Sequence, residues 1–382
     1  MINSQTGEMI ASTDSQRNKE ALRIIICGRV EGSRRISNYR FLFDSKAAPD
    51  KPLKSIERDS DQTDSNSASD TACHCFDTEK RRYIVADAPD RESTHDLVTA
   101  ASAAHLTVIL IDASKGIRSE TLYYSRIAAL MGIQHLVLVI INKMGRMNDD
   151  ETSFNIHASD FLALTSSLEF PNFQAIPISY KESDNVVPIS IDTTWYKGPS
   201  LLDYLDTIDM FDNCERSAFR MQVRSVNQLN SCTREICGQI VAGSIRTAET
   251  IRVLPAGAQT CVKNMLIDFD EVDTAYTGDS VALTLVDEVD VTRGDVLVAA
   301  DKPPEIADQF EANLLWMNKH SLVPGRQFLM KLACKEVTAT VTHIKYQKDM
   351  DTGAHLAANT LELNETGRVS PIILNSSFGA ID

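Results

Sequence analysis

Apolar residues recur through the first half of the chain in short, closed bursts. Segment 21–28, ALRIIICG, is a β-branched run ended by glycine. Similar runs follow at 82–86, 106–112, 135–142 and 173–179. Continuous runs of this length fit strands buried on both faces. Between them, 94–104, 119–131 and 150–168 carry helical spacing. Strands alternating with helices predict an open, mostly parallel sheet with helices on both faces. Ligands of such sheets sit beyond the carboxyl ends of the strands.

After residue 205 the grammar changes. Short runs at 219–226, 236–242, 250–254, 261–267, 280–285 and 296–300 follow one another directly. Turns are marked by Gly243, Pro255-Ala256-Gly257, Gly278 and Arg293-Gly294-Asp295. This predicts a small β-barrel. An acidic, proline-bearing linker at 301–308 leads to a second β-rich stretch, with runs at 310–317, 327–333, 336–346 and 368–374. The resulting division is a polar, disordered tail at 1–20, an α/β domain at 21–210, and β domains at 211–303 and 304–382. Residues 46–70, containing SDQTDSNSASD, read as a loop.

Length and charge narrow the classes. A chain of 382 residues holds two or three domains. With 38 basic and 53 acidic residues its net charge is −15, which argues against nucleic acid or an anionic membrane as partner. There is no run long and apolar enough for a membrane helix. The first twenty residues lack a charged start and apolar core, so a cytoplasmic protein is expected. The eight scattered cysteines read as reduced thiols. Cys73-His74-Cys75 places three donors too close together for an ordinary structural zinc site, so strand alternation is the better reading. Trp195 and Trp316 read as packing residues.

A strand ending in glycine at the start of an α/β domain is where a phosphate loop, G-x-x-x-x-G-K-[ST], belongs. Here the stretch is Gly28-Arg29-Val30-Glu31-Gly32-Ser33-Arg34-Arg35. Only the first glycine is in place. Arg34 stands for the lysine, and Arg35 for the hydroxyl that ligates magnesium. Asp87-Ala88-Pro89-Asp90 occupies the place of D-x-x-G, with a carboxylate where the glycine belongs. Asn142-Lys143-Met144-Gly145 stands where N-K-x-D reads guanine, and the acidic acceptor is gone. Ser179-Tyr180-Lys181 stands at the last base contact. The vestigial nucleotide site is therefore Gly28, Asp87, Pro89, Asn142, Lys143 and Ser179. No catalytic residue and no metal ligand is expected. Arg29, Arg34 and Arg35 at a helix start form a candidate metal-free anion site, against the plainer reading of a solvated basic pair.

With these motifs in order, the chain resembles the GTPase subunit of bacterial ATP sulfurylase, a relative of elongation factors Tu and 1α. Residues 41–46 (FLFDSK), 110–116 (LIDASKG), 195–199 (WYKGP), 287–295 (DEVDVTRGD) and 315–325 (LWMNKHSLVPG) carry the likeness. The resemblance implies a P-loop GTPase-like α/β domain followed by two β-barrel domains, the last C-terminally shortened. It implies GTP and magnesium as cofactors, and a small ATP-pyrophosphatase-type partner subunit that forms adenosine 5′-phosphosulfate. The residues in place depart from it. Ala68 aligns with the switch threonine and Arg91 with the histidine after D-x-x-G, so no cofactor is expected. Two classes stay open: a non-hydrolysing partner of the small subunit, or a scaffold that has left sulfate activation.

Overall fold

The computed structural model describes residues 21–28, 73–78, 80–88, 93–142, 150–168, 170–179, 185–186, 193–209, 217–230, 233–332, 334–373 and 378–379. The chain forms two compact units, 1–208 with 349–354, and 209–348 with 355–382. The expected tail at 1–20 and loop at 46–70 lie outside the described residues.

The first unit is built on a six-stranded sheet of order β2-β3-β1-β4-β5-β6. Its strands are β1 (Leu22–Cys27), β2 (Cys73–Asp77), β3 (Arg82–Asp87), β4 (Leu106–Asp112), β5 (His135–Asn142) and β6 (Asn172–Ser179). All neighbouring pairs run parallel except β2 with β3. The Cys73-His74-Cys75 alternation thus belongs to an antiparallel edge strand. The apolar runs arise because the middle of the sheet is covered on both faces: every residue of β4 is buried. Helices α1 (Thr94–Ser102), α2 (Ser119–Leu130) and α3 (Asp150–Leu164) connect the parallel strands. Leu97, Val98 and Ala101 are buried from α1, and Tyr123, Tyr124, Ile127 and Ala128 from α2. Phe161 of α3 is fully buried, its ring stacked on Phe173 of β6 with centroids 5.6 Å apart. A short helix α4 (Leu201–Thr207) is capped by Ser200, whose Oγ accepts from the Asp203 amide at 3.2 Å.

In the second unit β7 (Arg220–Asn230), β8 (Thr233–Ala242), β9 (Ser244–Arg246), β10 (Thr250–Leu254), β11 (Gln259–Ile267), β12 (Asp270–Glu271), β13 (Thr274–Tyr276), β14 (Ser280–Leu285) and β15 (Val296–Ala299) follow. The order β10-β15-β7-β8-β14-β11 returns on itself through a β10–β11 pairing, closing a six-stranded barrel. Phe219, Met221, Val223, Ile251, Met265 and Leu283 fill it. Then come β16 (Ile306–Ala307), β17 (Ala312–Leu315), β18 (Gln327–Leu332), β19 (Lys335–Lys348), β20 (His355–Leu356), β21 (Thr366–Ile373) and β22 (Phe378–Gly379). Among the described residues these form a β17-β21-β19-β18 sheet, with β20 on β19 and a separate β16–β22 pair. Its core is Leu322, Val341, Ile344, Leu361 and Val369, with Trp316 edge-on to Phe328. The five cysteines described as free, Cys27, Cys75, Cys237, Cys261 and Cys334, form no disulfide.

One turn departs from its sequence preference. Ile267 pairs with Asp270, so Asp268 and Phe269 alone reverse the chain between β11 and β12. Both have positive φ, 49° and 73°. Such a turn favours Asn-Gly, and a phenylalanine there is strained by about 1–2 kcal/mol. Phe269→Gly relieves that strain but gives the unfolded chain more freedom. The net expectation is a gain of about 0.5 kcal/mol, read by urea denaturation of the full chain. A loss above about 1 kcal/mol would mean the ring supports the barrel.

Candidate nucleotide site at the carboxyl edge of the first sheet

The predicted site residues that the structure describes gather along one edge. Ile26 pairs with Asp87 across β1 and β3. Ile26 also pairs with Val108, and Asp112 stands four positions further along β4. Strands β4, β5 and β6 therefore project beyond β1 and β3, and the chain leaving β1 must pass close against β4. Gly28 makes that passage. Its φ is +99°, and a Cβ there would meet the Leu110 carbonyl oxygen at 2.5 Å. Glycine is required here by the sheet itself, before any phosphate is considered.

Asp87 ends β3 half-buried, next to Gly28's strand. Burial, and secondarily the charge of Asp87, push the Cys27 thiol far above its ordinary range. On the far side of β4, Asn142 and Ser179 lie opposite each other at the ends of β5 and β6. The edge thus carries two groups, Gly28 with Asp87 and Asn142 with Ser179, separated by the end of β4. Pro89, Lys143, Arg29, Arg34 and Arg35 lie outside the described residues, as do Ala68, Asp90, Arg91 and Gly145. The candidate anion site therefore stands as a sequence expectation.

Three features of this edge were not singled out as site residues. Asp112 is buried, and its Oδ1 accepts from the Ser114 amide at 3.0 Å and the Ser114 hydroxyl at 2.6 Å. The Lys115 and Gly116 amides both donate to the Asp112 carbonyl at 2.9 Å. His157 of α3 holds the same turn, with Nε2 2.9 Å from the Ala113 carbonyl. Asn185 is fully buried at φ +61°. Its Nδ2 donates to the Pro177 carbonyl and to Thr193 Oγ1, both at 2.9 Å. Its own carbonyl accepts from the Leu201 amide at 2.8 Å, tying α4 to the end of β6. The only advance signal was an asparagine in a polar stretch, a residue type that tolerates a left-handed backbone.

The Trp195-Tyr196-Lys197-Gly198-Pro199 motif is a brace for β6. The Tyr196 hydroxyl lies 3.0 Å from the Pro199 carbonyl and 3.3 Å from that of Ala175. It accepts from Gln174 Nε2 at 3.3 Å. Burial pushes its phenol up to about 12, the Gln174 bond opposing. The Trp195 ring packs on Phe154 at 5.3 Å, which supports the packing reading. From the other side, Tyr83 of β3 donates to Asp206 of α4, and Lys80 lies 3.5 Å from the same carboxylate.

A nucleotide with magnesium needs a hydroxyl ligand beside the β3 carboxylate and an acidic acceptor after β5. The chain keeps Asp87 as that carboxylate, but by sequence alignment has Arg35 and Ala68 in the hydroxyl places and Gly145 in the acceptor's. Among the described residues no group of three His, Cys, Asp or Glu could hold a metal ion, and no helix is long and apolar enough to cross a membrane.

Comparison with known proteins agrees with this architecture. Residues 43–251 match the elongation factor Tu GTP binding domain, and 309–375 match the GTP-eEF1A C-terminal domain-like family. The chain is 37% identical over 380 residues to a "Bifunctional enzyme CysN/CysC" of Xylella fastidiosa, covering 94% of this chain and 61% of that protein. It is 34% identical to "Sulfate adenylyltransferase subunit 1" of Pseudoalteromonas atlantica, covering 94% of this chain and 81% of that one. The protein of the same name from Laribacter hongkongensis is 36% identical, with 92% and 78% covered. A translation-factor-like sheet, a closed barrel after it and this span of identity lead to one conclusion: the chain belongs to the sulfate adenylyltransferase subunit 1 family, within the elongation factor Tu-like GTP-binding proteins.

Proposed function

We propose that this chain is the GTPase-like subunit of a sulfate adenylyltransferase, and that it serves its small partner subunit as a structural or regulatory element without hydrolysing GTP. The observation that carries the reading is the split at the carboxyl edge. The groups that hold the sheet together are in place: Gly28 against Leu110, the Asp112 turn and the Asn185 tie. Of the groups that would do phosphate and metal chemistry, Asp87 is kept, while the loop lysine and the hydroxyl positions are replaced by sequence. Retained architecture with a depleted donor set fits a body kept for what it binds. In the reaction on the partner, a sulfate oxygen attacks the α-phosphorus of ATP. The new P–O bond gives adenosine 5′-phosphosulfate, and the bond to pyrophosphate breaks.

The test has two readouts. With Mg·GTP at millimolar concentration the chain should show no thermal shift. A ligand at 100 times its dissociation constant adds about 2.7 kcal/mol, or roughly 5–10 °C for a unit of this size. When co-expressed with the organism's own small subunit, it should co-purify. The pair should then release pyrophosphate from ATP and sulfate at a rate GTP leaves unchanged. A shift of several degrees would show that the phosphate loop still binds GTP, and a GTP-dependent rate would overturn the non-hydrolysing part. Failure to co-purify would overturn the rest.

A further inference from the structure

We infer that the hairpin tip Asp268-Phe269 is the anchor by which this chain docks its small partner subunit, with the Phe269 ring entering an apolar pocket rimmed by basic side chains. The occupant's identity rests on the function proposed above; the anchor rests on the barrel.

Phe269 is 97% exposed, far beyond the other large apolar residues among those described. It also occupies a left-handed position in a two-residue turn, where glycine serves better. Folding therefore accounts neither for the ring's exposure nor for its backbone. A residue that breaks a local preference with no packing in return marks a site selected for something outside the fold.

The arm behind the ring is stiff. Met265 is fully buried in the barrel core, and Ile267 and Val272 pack against that core. The Val272 amide donates to the Met265 carbonyl at 3.0 Å, below the tip. An aromatic held on such an arm loses little freedom on docking. Buried aromatic anchors carry much of the affinity of protein interfaces.

Charge decides the occupant. Asp268, Asp270, Glu271 and Asp273 flank Phe269 along the hairpin, all exposed. None of them forms an ion pair among the described residues. A second copy of a chain with net charge −15 meets this collar with like charge. Nucleic acid and anionic lipid do the same. A protein pocket with lysine and arginine at its rim matches both the ring and the collar.

The test is calorimetric titration of the full chain with the purified small subunit at two salt concentrations. Phe269→Ala and Phe269→Gly should weaken binding more than about tenfold, while Phe269→Trp stays within about threefold. Asp270→Lys with Glu271→Lys should weaken binding and flatten its salt dependence. Phe269→Gly is the deciding variant, because it relieves the turn, and urea denaturation of the same variant shows that it stays folded. If wild type binds and both Phe269→Ala and Phe269→Gly bind within twofold of it, the inference alone falls. If wild type does not bind the small subunit, the proposed function falls and the docking assignment falls with it. If sedimentation shows a wild-type dimer that Phe269→Gly dissociates, the ring docks on a second copy and the assignment is wrong.

Discussion

Gly28→Ala is expected to lower the melting temperature of the first unit by roughly 10 °C. Two costs combine. A non-glycine residue at φ +99° is held in a sparsely populated region, at about 1–3 kcal/mol. The new methyl would also lie 2.5 Å from the Leu110 carbonyl oxygen, which is backbone of a fully buried strand and cannot step aside. Forcing volume into such packing costs about 1–3 kcal/mol more. At roughly 2–4 °C per kcal/mol for a unit of this size, the sum gives the stated shift. Gly132→Ala is the control, since Gly132 also has positive φ (+78°) but nothing within 4 Å of its added Cβ. It should cost only the backbone strain, about 1 kcal/mol. Calorimetric scans of both variants check the claim. Equal melting points would show that contact with β4 is not what demands glycine.

Asn185→Ala should destabilise the same unit by about 3 kcal/mol. The side chain is fully buried and satisfies the Pro177 carbonyl and the Thr193 hydroxyl, itself 1% exposed. Removing it leaves buried polar atoms unpartnered, at about 1–3 kcal/mol. Alanine also tolerates φ +61° poorly, at about 1–2 kcal/mol. Asn185→Gly separates the two terms, because it frees the backbone but leaves the same atoms unpartnered. Urea denaturation should place it between wild type and Asn185→Ala. If the two variants coincide, the backbone term is wrong. If both match wild type, the hydrogen bonds contribute nothing net.

The sheet of the first unit was readable because its strands are buried on both faces, which leaves continuous apolar runs such as LTVILID at 106–112. The barrel's strands and turns were readable for the same local reason. Their succession predicted a barrel, but not which pair seals it, because the β10–β11 pairing carries no mark distinct from an ordinary hairpin. At the candidate site, Gly28 and Asp87 were legible as relics of a motif. The reason Gly28 is glycine was not, because Leu110 lies 82 positions away in the chain. Asn185 stayed hidden because its partners are backbone and a threonine, which leave no motif. The 195–199 motif was visible as a string of unusual residues, and its role as a brace depends on Ala175 and Gln174 in β6.

Cys27 gives the native protein a reporter of its own. Only the thiolate attacks alkylating reagents, and this thiol is both fully buried and held protonated by its surroundings. The half-buried Cys75, Cys237, Cys261 and Cys334 are less sheltered. Mass-resolved labelling over time would therefore mark Cys27 last of these five. Its rate would measure how often β1 opens, without any engineered probe.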